Sequence, residues 1–123
     1  MSESAKTATA PLQFLIVTAS YQCASWVERC LDSVRAQTYP HFRQVWVDDC
    51  STDGTLEKAR ARVAGDARFL FLNNQARVFP LANIVRASKE AGGRPNDVLV
   101  VLDGDDWLKH ARVLERLAAV YSD

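Results

Sequence analysis

Three carboxylates fall within four residues at Asp103, Asp105 and Asp106. Carboxylates held this close repel one another, so they raise each other's pKa or gather a cation. Alternate aspartates at a strand end suit a hard divalent ion that keeps positions open for phosphate oxygens. The plainer alternative is an acidic turn in which Asp105 or Asp106 caps the next helix. A second acidic pair opens the run Asp48-Asp49-Cys50-Ser51-Thr52-Asp53-Gly54-Thr55. A carboxylate there can accept an N–H from a planar ligand such as a nucleobase. It can equally cap the following helix with Ser51 or Asp53, and both roles can hold at once. Tyr21 offers a ring that stacks on a base or simply packs. Of the basic residues that could meet a diphosphate (Arg77, Arg86, Lys109 and Arg112), Arg77 is best placed, in a loop; Arg86 falls inside a helix and reads as solvated. His41 and His110 stand alone and read as surface residues. No nucleophile–histidine set, P-loop lysine motif or G-x-G-x-x-G is present.

These residues need elements to position them. Phe14–Val17 is a continuous apolar run, the mark of a strand buried on both faces. Further strands are predicted at Val45–Val47, Phe69–Leu72 and Val98–Leu102. Helical spacing joins Trp26, Val27, Cys30, Leu31 and Val34, with Ser25 and Glu28 as a capping box and Pro40 as a stop. A second helix is predicted over Gly54–Val63, with Leu56, Ala59 and Val63 on one face. A third shows Leu81, Ile84, Val85 and Ser88 and ends at Gly92-Gly93. A fourth carries Val113, Leu114, Leu117, Ala118 and Tyr121. The order β-α-β-α-β-α-β-α implies an α/β, Rossmann-like, mostly parallel sheet with helices on both faces. Ligands of such sheets sit at the carboxyl ends of the strands. Tyr21, the Asp48–Asp49 pair and the Asp103–Asp106 cluster all fall there.

The chain has 123 residues, 48% hydrophobic and 24% charged, which allows one domain with a real core. Fifteen basic residues balance fifteen acidic ones, which argues against a nucleic-acid polymer as partner. No apolar run nears the ~20 residues of a membrane span, and residues 1–11 show no secretory signal. Those residues read as a disordered leader to a domain over 12–123. Cys23, Cys30 and Cys50 form neither a disulfide framework nor a zinc motif, so reduced thiols and a cytoplasmic location are expected.

Taken together and in order, Val17–Tyr21, Ser33–Pro40, Val47–Thr55 and Leu102–Leu108 resemble a family-2, inverting glycosyltransferase of the GT-A fold, from about Phe14 to Tyr121. The resemblance implies a nucleotide-diphosphate sugar donor, a UDP-sugar above others, and transfer to an acceptor hydroxyl with inversion. It implies that Tyr21 stacks on the base, Asp49 accepts from the uracil N3–H, and the backbone at Ala19 lines the same pocket, with Asp48 beside them. Asp103 and Asp105 would be the D-x-D pair, reaching the ribose and a Mn²⁺ or Mg²⁺, with Asp106 assisting at the metal. Arg77 would meet the diphosphate.

The chain departs from the family at Ala19, Gln22 and Cys50, and in Asn73–Asn83, where the family often has a glycine-rich turn. The family also continues beyond the D-x-D segment with the acceptor site and a general base, so the chain reads as the donor-binding half with no catalytic base of its own. The sugar, lipid or protein that accepts the transferred group is left open. The resemblance implies a strand order of third, second, first, fourth. The fourth strand would then lie at an open edge, through which the chain self-associates or meets a second polypeptide. Two other readings stand beside this one: a non-catalytic nucleotide-binding module, and an Asp-dependent phosphoryl-transfer enzyme. The latter wants an early D-x-D, where this chain has Ala19-Ser20-Tyr21.

Overall fold

The computed structural model describes residues 11–122; residue 123 and nearly all of the expected leader lie outside them. The elements alternate as expected: β1 (Phe14–Ser20), α1 (Val27–Arg35), β2 (Phe42–Asp48), α2 (Thr55–Arg62), β3 (Phe69–Asn73), α3 (Pro80–Glu90), β4 (Val98–Val101) and α4 (Val113–Tyr121). The four strands form one parallel sheet in the order β3-β2-β1-β4. β4 therefore lies at an edge among the described residues, as the resemblance implied.

The sheet has two unequal faces. Phe14, Ile16, Phe42 and Trp46 point to one side, where α1, α2 and α4 bury Cys30, Leu31, Val34, Ala59, Val63 and Leu114 against them. Leu15, Val17, Val45 and Val47 point to the other, covered by Ala87 and Ala91 of α3 and its C-cap. The apolar run of β1 is thus buried on both faces, its residues alternating between the two cores. A single helix does not cover the second face. Leu99 and Val101 of β4, in register with Leu15 and Val17, are left about half exposed.

Two local expectations are corrected. Ser25 and Glu28 do not form a capping box: α1 starts at Val27, and no side chain caps it. The free N–H groups ahead of it are taken by the β2–α2 loop. Cys23 N–H donates to Thr55 Oγ1 at 3.0 Å and Ala24 N–H to Asp53 Oδ2 at 3.1 Å. α3 also buries only part of its apolar pattern, Ile84 packing against the smaller core. Asn83, Ala87 and Ala91 face inward, while Leu81 is 79% exposed and Val85 faces solvent. Gln37 ties the last helix down, accepting the Leu114 N–H and donating to the carbonyls of Ser33 and His110.

Candidate functional site

The carboxyl ends of β1, β2 and β4 surround a cavity of about 150 Å³. Tyr21, Asp49, Arg77, Pro80 and Asn83 line one side, and Asp103, Gly104 and Asp105 the other; Ala19, Ser20 and Cys23 lie between. The structure therefore brings Ala19, Tyr21, Asp49, Arg77, Asp103 and Asp105 together in one place.

Asp48 is the exception. It is buried and does not line the cavity. Its Oδ1 accepts from Ser20 Oγ and Ser51 Oγ, and its Oδ2 from the Ser51 N–H. Ser20 Oγ in turn accepts the Trp46 indole N–H at 2.7 Å. This carboxylate builds the turn, and the expectation that it meets a nucleotide sugar does not fit its position. Asp53 does what the plainer reading allowed, taking the Thr55 N–H at the start of α2.

Asp49 is 2% exposed and takes four donors. Oδ1 accepts from Asn74 Nδ2 (3.0 Å) and the Val78 N–H (2.8 Å); Oδ2 accepts from Arg77 Nε (2.9 Å) and the Phe79 N–H (2.9 Å). Burial works against its charge. The Val78 N–H, Asn74, Arg77 and the Phe79 N–H outweigh that and hold its carboxyl well below the usual carboxylate range. A carboxylate has about four lone-pair positions, and all four are used. The expected acceptor for a base N–H is therefore already saturated from within the chain. Arg77 also packs on two rings: its guanidinium lies 3.4 Å over the Tyr21 ring and 4.5 Å over the Phe79 ring. The two residues expected to touch base and diphosphate also touch each other.

Sequence reasoning overlooked the supports of this loop. Asn74 donates to Asp49 and to Asn83 Oδ1, and accepts from Arg86 Nη1. Arg86 is thus bonded to the site rather than merely solvated. The spacing of Asn83, Ala87 and Ala91 at every fourth residue was the available signal for an inward stripe. Lys109 and Arg112 do not line the cavity, and Arg112 pairs with Glu115. His41 packs edge-on to Tyr39, and exposed His110 accepts the Arg112 N–H at Nδ1, so neither lines the cavity.

Asp103, Asp105 and Asp106 can place one carboxylate oxygen each within 4.8 Å of one another, and all three are exposed. Partial burial, then repulsion from Asp106 and Asp105, pushes the Asp103 carboxyl up. An all-oxygen donor set under mutual repulsion fits Mg²⁺ or Mn²⁺. The turn carrying it is pressed onto β1. Gly104 N–H donates to the Ala19 carbonyl at 3.1 Å, and a Cβ on Gly104 would lie 2.8 Å from Ser20 Cβ and 3.0 Å from Cys23 Sγ.

The chain matches the family described as "Glycosyl transferase family 2" over residues 15–123. It is 31% identical over 104 residues to TuaG of Bacillus subtilis, named for teichuronic acid biosynthesis, covering 83% of this chain and 39% of TuaG. It is 35% identical over 115 residues to the succinoglycan biosynthesis protein ExoA of Rhizobium meliloti, covering 89% of this chain and 34% of ExoA. The chain spans little more than a third of the length of these curated relatives. Among solved structures it resembles S. aureus TarS 1-349 in complex with UDP-GlcNAc (TM-score 0.80, 24% identity), over 90% of this chain and 31% of that one. It also resembles the mannosyltransferase PcManGT of Pyrobaculum calidifontis in complex with GDP-Man and Mn2+ (TM-score 0.75, 24% identity), over 89% and 31%.

Proposed function

The chain belongs to glycosyl transferase family 2, with the GT-A fold, and from that membership we propose that it forms the donor-binding part of a metal-dependent, inverting glycosyltransferase. The observation that carries the proposal is the single cavity with the Tyr21–Asp49–Arg77 cluster on one side and the Asp103–Asp105 turn on the other. A nucleoside diphosphate has the same two ends, a planar base and an anion that needs a cation. The cavity is small beside the roughly 300–1,000 Å³ that encloses a whole ligand. It therefore takes one ring, while ribose and diphosphate cross the open rim to the aspartates. The donor is a UDP-sugar.

Asp103, Asp105 and Asp106 would hold the Mn²⁺ or Mg²⁺, which when bound supplies Lewis-acid stabilisation of the departing diphosphate. Tyr21 and Arg77 form the base wall, and Asp49 acts through them by anchoring Arg77 and the Val78–Phe79 backbone.

Titration calorimetry with UDP tests the proposal. Binding should strengthen at least tenfold when Mn²⁺ or Mg²⁺ replaces EDTA, because three carboxylates otherwise repel the diphosphate. Asp105→Asn should remove that metal response and leave uridine binding. Equal affinity with and without metal would refute the metal role.

A further inference from the structure

Asn83 sits in the first turns of α3, is 1% exposed, and forms part of the cavity wall. Its Oδ1 accepts from Asn74 Nδ2 at 2.6 Å. That bond fixes which way the amide faces, since turning it over would set two NH₂ groups against each other. Its Nδ2 is then left buried with no partner. Buried donors are nearly always paired, so an orphan in a ligand cavity marks a place where the ligand supplies the acceptor. The neighbouring carboxylate does not compete for that part, because every acceptor position of Asp49 is filled. An unpartnered donor thus lies within this wall, just beneath the cavity surface.

We infer that Asn83 sets base specificity: its Nδ2–H donates to the C4 carbonyl oxygen of the bound base and so favours uracil over cytosine, which carries an amino group at C4. The inference rests on the nucleotide-binding reading above. Uracil and cytosine differ at this edge, a carbonyl in one standing where the other carries an amino group. An amino group facing the Asn83 amide leaves both donors unpartnered.

Calorimetry of UDP and CDP in the presence of Mn²⁺, on the intact chain, reads this directly. The wild type should prefer UDP about tenfold or more. Asn83→Ala should bring the two affinities within about threefold. Asn83→Asp keeps an oxygen for Asn74 and puts an acceptor where the donor was, so the preference should reverse. A merely structural role for Asn83 would weaken both nucleotides together. A wild-type ratio near one, or a ratio unchanged in variants whose circular-dichroism melts show them folded, would overturn the inference. Should the variants not fold, the wild type with 4-thio-UDP decides. Roughly tenfold weaker binding than UDP supports the carbonyl contact, since sulfur accepts poorly, and equal binding refutes it. Binding of GDP or ADP but neither pyrimidine overturns the inference and leaves the nucleotide reading standing; binding of no nucleotide overturns both.

Discussion

Phe79 holds a backbone conformation made for glycine, with φ 72° and ψ 162°. The value of ψ is what the following Pro80 demands; the positive φ is not. A side chain in this region costs about 1–3 kcal/mol. The ring returns little: it is 58% exposed and meets the Arg77 guanidinium at 4.5 Å, an exposed cation–π contact of about 0.5–1 kcal/mol. Two variants separate backbone from ring. Phe79→Ala loses the ring and keeps the strain. Phe79→Gly loses both, and its unfolded chain gains freedom worth about 0.4–1 kcal/mol. The glycine variant should therefore be the more stable of the two by about 1 kcal/mol, or roughly 4 °C in melting temperature for a domain of this size. Urea unfolding of both variants, with the slope checked for constancy, is the assay. An alanine variant as stable as the glycine one would show that Phe79 is not strained. The same pair reports on the site, because the Phe79 N–H bonded to Asp49 depends on that conformation.

Asp49→Asn should lose about 2 kcal/mol or more at neutral pH, since an amide cannot accept from four donors. Its folded carboxyl lies below the unfolded value near 4. The wild type's advantage is therefore full above that pH and is lost as pH falls further, so unfolding curves of the two proteins should converge in acid. Val101→Lys should reduce any concentration-dependent association seen by sedimentation, at little cost in stability, because that side chain is half exposed on the edge strand. Val100→Lys should instead destabilise the fold, since Val100 packs against the larger core.

The architecture was legible because each strand is a compact apolar run and each junction is punctuated. Element order followed from that pattern, and the sheet order from the family resemblance carried by the four quoted segments. What escaped is instructive in particular residues. The third helix is expected to bury Leu81, Ile84 and Val85, yet Asn83 turns in to bond Asn74, and Leu81 and Val85 are left outside. Hydrophobic periodicity cannot register an inward polar contact. The capping box is absent because α1 starts only at Val27, while Asp53 and Thr55, about thirty residues away in the chain, hold the Ala24 and Cys23 N–H groups ahead of it. For Asp49 the sequence announces a carboxylate at a strand end, but not that Arg77, Val78 and Phe79 will close on it. No local pattern encodes a loop's choice of partner.

The contact of Gly104 with the tail of β1 fixes a length. With no side chain at this position, the acidic turn rests directly on Ala19 and Ser20, the same strand end that carries Tyr21. The separation between the Tyr21 wall and the carboxylates is thus set by the Gly104–Ala19 backbone hydrogen bond and by close contact with the Ser20 and Cys23 side chains. On the proposed reading the molecule carries a gauge, cut to one span from base to pyrophosphate. Any larger residue at position 104 would lift the carboxylates away while leaving every one of them chemically intact. Such a variant would still take up nucleoside and still gather cation, yet would fit both ends of a single ligand poorly. Its defect would lie in the failure of two sound half-sites to add.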